Sequence, residues 1–265
     1  MHLENTVTHN WDWWAYQFRV IHRRDIAGID SWDDRVVAFV SQALGLQPDD
    51  RLLDLACGSG AHALRFAQRG IEVVGLDISS RLVRHCTEQA ADAGLSNVTF
   101  VEGDMRTLSY QNEFDALVML STSFGFFDHE TNLQVLDGLT QAIKPSGRLL
   151  LQLSDPISFV ERHQERRYWQ ERPEGVYLTE GWFDPSTFTS HGKFRFTDND
   201  GVTHLWDDHE RVRLYTLPEL RCMFAQVGLE VSDVYGSIYL HNMDYGPDNH
   251  QEMIVVGRPK QANRF

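Results

Sequence analysis

The chain has 265 residues, enough for one large α/β domain with elaborations and a core that needs neither disulfides nor metal. Its 24 lysines and arginines against 38 acids, net −14, argue against a protein that grips a nucleic acid by counterion release. Three scattered cysteines exclude a disulfide framework or a thiolate zinc site, the opening MHLENTVTHNWDWW lacks a signal-peptide pattern, and no apolar run of about 18 residues occurs. A cytoplasmic protein with no membrane partner is therefore expected.

In chain order, residues 1–46 form an expected helical cap, carrying Trp11, Trp13, Trp14, Tyr16 and Phe18. From Leu52 to Ser154, short β-type runs alternate with amphipathic helical segments, the pattern of a parallel sheet covered on both faces. Strands are predicted over Arg51–Ala56, Ile71–Asp77, Val98–Gly103, Phe114–Leu120 and Gly147–Leu153. Between them fall helices over Ala61–Arg69, over Ser79–Ala93 with Ser79 as N-cap, and through ETNLQVLDGLTQAIKP, where Leu133, Leu136, Leu139 and Ile143 share a face. Residues 161–213 read differently, as antiparallel strands rich in aromatics, with KFRFTDNDGVTHLW a hairpin turning at Asp198–Gly201. The α/β pattern then resumes with the helix TLPELRCMFAQVG, ended by Gly228, and the strands LEVSDVYG and QEMIVVGRP. The fold expected is a doubly wound, Rossmann-like α/β sheet of seven mostly parallel strands over 47–160 and 214–265. A β-rich insertion after its fifth strand would serve as lid or acceptor domain.

The stretch LLDLACGSGAHALRFAQRGIEVVGLD is a strand, a glycine loop, a helix and a second strand ending in an acid. GxGxxA can be laid on Gly58, Gly60 and Ala63 with Asp77 following, so this stretch alone serves a nicotinamide dehydrogenase as well as other nucleotide-binding enzymes. Four strand ends in order decide more. LLDLACGSG, VVGLDIS, NVTFVEGDM and FDALVMLSTSFGFF together resemble the motifs of a class I S-adenosylmethionine-dependent methyltransferase of small-molecule type.

The resemblance implies S-adenosyl-L-methionine as cofactor. Gly58, Ser59 and Gly60 then turn against the methionine part, and Asp54 faces its ammonium group, where a carboxylate would repel a dinucleotide's pyrophosphate. Asp77 is placed for the ribose hydroxyls and Ile78 for the adenine. Asp104 resembles the acid that meets the adenine amino group, with Met105 an apolar surface beside it, and Ala56, Leu120 and Ser121 line the sulfonium end. No tyrosine has a lysine four residues on, the pair a short-chain dehydrogenase shows. Other dehydrogenases, and a cofactor-binding partner without activity, stay open.

For the acceptor, the fourth strand has no Asn/Asp-Pro-Pro-aromatic motif, which weakens the case for a DNA-base or glutamine methylase. Aromatic residues of the cap and insertion, among them Trp14, Tyr16, Trp182 and Trp206, are candidate walls for a small, partly apolar acceptor methylated on O or N. His204, on the same side of its strand as Trp206, is the candidate general base. DNDG lacks the oxygen ligands of a calcium loop, and no pattern calls for a metal. The oligomeric state is not legible.

Overall fold

The structure, a computed structural model, describes residues 6–9, 31–162, 166–172, 175–206, 209–238, 244–246 and 251–260. Its central sheet contains β2 (Arg51–Leu55), β3 (Glu72–Asp77), β4 (Val98–Glu102), β5 (Phe114–Met119), β6 (Ile143–Ser154), β12 (Leu229–Tyr235) and β13 (Glu252–Pro259). Their order is β12-β13-β6-β5-β2-β3-β4, with β13 antiparallel to both of its neighbours and the remaining pairs parallel. Strand period two divides the core between the faces. Leu53, Leu117, Leu151 and Val255 join one buried cluster, while Leu52, Val118, Leu150 and Val256 join the other.

Helices cover both clusters. On one face lie α1 (Ser31–Leu44) with Val37 and α2 (Ala61–Gln68) with Phe66; on the other, α4 (His129–Ala142) with Leu136 and Leu139, and α6 (Leu217–Gln226) with Phe224. The remaining α3 (Ser80–Asp92) begins on Ser79, whose Oγ accepts from the Leu82 amide, as its N-cap position requires. Thr216 and Glu219 close a reciprocal capping box on α6, and Gly228, at φ 83°, ends the segment.

Two elements depart from the sequence expectation. The fifth strand begins at Ile143 rather than Gly147, because Phe114 pairs with Ile143 before the register shifts to Ala116 with Arg148. That irregularity accommodates Pro145, which has no N–H to give a ladder. The other departure is β1 (Thr6–His9), a strand inside the segment expected to be helical. Only α1 is described as helix there; Trp14 and Tyr16 lie outside the described residues.

The insertion folds as a second sheet ordered β1-β10-β9-β8-β7, with β11 also on β9. It contains β7 (Arg166–Arg172), β8 (Gly175–Asp184), β9 (Thr189–Asp198), β10 (Thr203–Trp206) and β11 (Glu210–Arg213), and follows a short helix, α5 (Pro156–Arg162). β1 pairs parallel with β10, Thr6 opposite Thr203. The predicted hairpin turn is present: Gly201, at φ 79°, donates to the Asp198 carbonyl, and Asp198 donates to that of Val202. Where the insertion returns, the Arg213 amide donates to the Gly125 carbonyl over 2.8 Å.

Candidate functional site

Strand order reverses between β2 and β5, so the connections on either side diverge and leave a crevice outside their carboxyl ends, the usual ligand position in an open α/β sheet. Along that edge lie, in order, Asp104 after β4, Asp77 at the end of β3, Ala56 after β2, Leu120 and Ser121 after β5, and Asp155 after β6. Glu252 opens the antiparallel β13 at the same edge, opposite Ser154.

The loop after β2 is tied to β3. Asp77 accepts from the Gly58 amide on Oδ2 and from the Ser79 amide on Oδ1, both at 2.9 Å, and the Cys57 amide donates to the Leu76 carbonyl. Gly60 is needed sterically. Its φ is 73°, and a Cβ there would stand 2.8 Å from Cys86 Sγ and 3.0 Å from the Phe100 ring. Gly58 also has a positive φ, 56°, yet a Cβ there would meet no protein atom within 4 Å. The space beside Gly58 is therefore open while that beside Gly60 is filled.

Asp54 is buried, 2 % exposed, and its Oδ2 has no hydrogen-bond partner among the described residues. Burial lifts its carboxyl from the ordinary range to about 7; His62 nearby pulls it down and Asp77 adds repulsion. Burial likewise raises Asp77, against the pull of the Ser79 and Gly58 amides. Burial, together with the neighbouring acids, also pushes the Cys57 and Cys86 thiols up, Cys86 to about 12, which disfavours their thiolates. A buried carboxylate oxygen with no such partner, beside an open glycine loop, is costly in isolation and fits a cationic ligand group.

Backbone strain gathers at the same edge. Ala56, Ser121 and Thr122 hold φ of 59°, 55° and 59°, a region non-glycine residues avoid and a β-branched threonine most of all. Ser121 is exposed and Leu120 buried. Half-buried Ile78 follows Asp77, and Met105 packs partly against the core. Asp104 caps the turn Met105–Thr107 through the Arg106 amide and takes a fork from the Arg106 guanidinium at 2.6–3.0 Å. Burial would raise its pKa, but these bonds and the guanidinium charge hold it below the ordinary value. Its carboxylate is thus already engaged.

In the insertion, His204 bonds Asp198 Oδ2 at 3.3 Å and stacks on Phe196, so these described contacts lie within its own hairpin. Trp206 is buried, and Trp182 stacks on His191 at an interplanar angle of 3°. His191 Nδ1 lies 2.9 Å from His209 Nε2. Among the described residues, no group of three or more His, Cys, Asp or Glu is arranged to hold a metal.

Sequence reasoning missed a polar set on the β6 side. Gln152, 5 % exposed, accepts from the Ser121 amide on Oε1 at 3.0 Å, and its carbonyl accepts from the Thr122 amide. Its Nε2 donates to Glu252 Oε2, which also accepts from Ser237 Oγ. Buried Asp155 accepts from the Tyr245 hydroxyl at 2.5 Å and from the Ile157 and Ser158 amides. The signal available was a lone glutamine in the apolar run LLLQLS.

Residues 52–147 match the model of a family described as a methyltransferase domain. The cypemycin N-terminal methyltransferase of a Streptomyces species is 31% identical over 209 residues, 76% of this chain and 81% of that protein. The glycine/sarcosine N-methyltransferase of Halorhodospira halochloris is 25% identical, covering 83% of this chain and 84% of that one. Among solved structures, the CcbJ methyltransferase of Streptomyces caelestis superposes with a TM-score of 0.72 at 19% identity, over 94% of this chain and 96% of that chain. The matched family, the curated relatives and the sheet order agree, so the chain belongs to the class I S-adenosylmethionine-dependent methyltransferases.

Proposed function

We propose that this enzyme methylates an amine nitrogen of a small, partly apolar acceptor. The observation that carries the reading is the 31% identity to a methyltransferase named for the N-terminus of a peptide, seconded by a relative named for glycine and sarcosine. S-adenosylmethionine, when bound, supplies an electrophilic methyl on a cationic sulfur. The residues we assign to hold it are Asp54, Ala56, Gly58, Ser59, Gly60, Asp77, Ile78, Met105, Leu120 and Ser121. Asp54 offers its unpartnered oxygen to the ammonium group, and Asp77, oriented by two amides, offers its remaining lone pairs to the ribose. Asp104, occupied by Arg106, fixes the turn that presents Met105 rather than reaching the adenine itself.

An amine needs alignment and loss of one proton, whereas a hydroxyl needs a base at the moment of attack. Asp155 and Glu252, at the β6 and β13 end of the edge, are held by bonds of their own but by their charge draw an acceptor that arrives as an ammonium ion, which gives its proton to water before its lone pair attacks the methyl. The insertion and residues 1–46 we assign to the acceptor side, Trp182 and Trp206 among the walls, with His204 a lid residue bound to Asp198. The test is formation of S-adenosylhomocysteine from S-adenosylmethionine with matched pairs of amines and alcohols on the same small skeletons. The amine of each pair is expected to turn over faster. Turnover of the alcohols alone would overturn the reading.

A further inference from the structure

The turn after β5 holds two consecutive non-glycine residues, Ser121 and Thr122, in the left-handed region, one of them β-branched. Such a pair is strained and persists only where its surroundings over-determine it. A single residue of the neighbouring strand grips both. Gln152 takes the Ser121 amide on its side-chain oxygen at 3.0 Å and the Thr122 amide on its backbone oxygen at 3.1 Å. With that oxygen on Ser121, Nε2 donates to Glu252 Oε2 at 3.3 Å, and Ser237 Oγ donates to the same oxygen at 3.2 Å. Thr122 Oγ1 adds a 3.3 Å contact to Ser154 Oγ, two residues further along β6.

Resting on the placement of the sulfonium end at Ser121 proposed above, we infer that Gln152 is a positioning residue for methyl transfer. Through Glu252 and Ser237, it fixes the left-handed turn that faces the methyl-bearing end of the cofactor. A buried amide in an otherwise apolar strand would be expensive as mere packing, and a leucine there would leave the Ser121 amide without this partner. The turn gains rigidity from the network, and rigidity within fractions of an ångström is what an in-line displacement requires.

The chemistry of the bond pattern gives a selective test. In Gln152→Glu with Glu252→Gln the pattern is kept with one pair of roles exchanged: the introduced carboxylate accepts from the Ser121 amide and from the introduced amide nitrogen, which stands in the place of Oε2 and gives its second N–H to Ser237 Oγ. Net charge is unchanged. Gln152→Met keeps the bulk and loses both side-chain bonds. The readout is the affinity of sinefungin, which carries an amine-bearing carbon in place of the sulfonium and its methyl, relative to that of S-adenosylhomocysteine, which has a neutral sulfur and no methyl there. In Gln152→Met this ratio is expected to fall about tenfold, with S-adenosylhomocysteine itself held within about twofold, and in the exchanged double variant to return to within about twofold of the wild type. An unchanged ratio in Gln152→Met, an equal loss of both ligands, or a folded double variant that fails to recover would each overturn the inference. Should Gln152→Met not fold, Ser237→Ala, at the far end of the network, is expected to lower the ratio about threefold, and no change would overturn it as well. Ser121→Lys separates the two levels of the argument. It puts a cation beside the sulfonium end, so a ratio it leaves unchanged removes the placement, whereas a fall there with none in Gln152→Met removes only the positioning role.

Discussion

The amide of Gly58 donates to Oδ2 of Asp77 over 2.9 Å, so the acid that ends one strand shapes the glycine loop that follows its neighbour. Loop and acid are therefore one unit, and a change in either is felt by both.

Asp77→Ala removes the acceptor for two loop amides as well as the proposed ribose contact. S-adenosylhomocysteine affinity, measured by titration calorimetry, is expected to fall by about 1.5–3 kcal/mol. Asp77→Asn, which keeps one accepting oxygen, is expected to lose less. Equal affinity in wild type and Asp77→Ala would remove Asp77 from the ribose.

The two glycines predict opposite phenotypes. Gly60→Ala puts a Cβ against Cys86 and Phe100 at positive φ and should lower stability by about 1–3 kcal/mol in denaturant unfolding. Gly58→Ala meets only open space, so its cost to folding is confined to the backbone, about 1 kcal/mol. Cofactor binding should reverse the order of severity, because the open space beside Gly58 is where the ligand is proposed to lie.

Asp54 sets a pH dependence whose sign follows from its direction of shift. Its folded value, about 7, lies above the unfolded value near 4, so the native state holds the extra proton between them. The stability it contributes is complete below about pH 4 and is lost as pH rises through 7, at most about 4 kcal/mol for a shift of this size. Melting temperature of the cofactor-free protein should therefore fall over this window, and Asp54→Asn should flatten the fall. Cofactor affinity should run the other way, rising from pH 5 to 7 as the carboxylate ionises to meet the ammonium. A parallel profile in Asp54→Asn would place the titrating group elsewhere.

Thr122→Gly relieves a β-branched residue of its φ of 59°. The variant is expected to be more stable by about 1 kcal/mol and slower in methyl transfer, since the relieved turn is also a looser one. Both are read from one preparation, by thermal unfolding and by S-adenosylhomocysteine formation; a variant that is faster would break the link between strain and positioning.

How much of this was legible depended on the range of the forces. Each strand from Arg51 to Met119 announced itself because apolar residues on both faces must be buried on both faces, and the residues at their ends were assigned to a site through the family resemblance of the four motifs. The position of Asp104 was legible, since it is where the motif puts it; the guanidinium two residues on that pairs with its carboxylate was not, because spacing does not rank a local pairing against a ligand. The bond of His204, read as the candidate base, to Asp198 across the hairpin turn is a pairing of the same local kind, and the strand alternation that singled His204 out does not show it. Gln152 was visible as a polar break in an apolar run, yet its partners Ser121, Ser237 and Glu252 come from three other segments, and nothing local names them.

Least legible of all was β1, four residues whose partner begins at Thr203. During synthesis Thr6–His9 is made long before Thr203–Trp206 exists, and a strand without a partner presents bare amides and carbonyls to whatever passes. The second sheet can be completed only after most of the methyltransferase domain has been translated, so its closure belongs among the late, long-range steps of folding. A tag or fusion joined ahead of Thr6 is thus joined, in space, to the margin of the insertion.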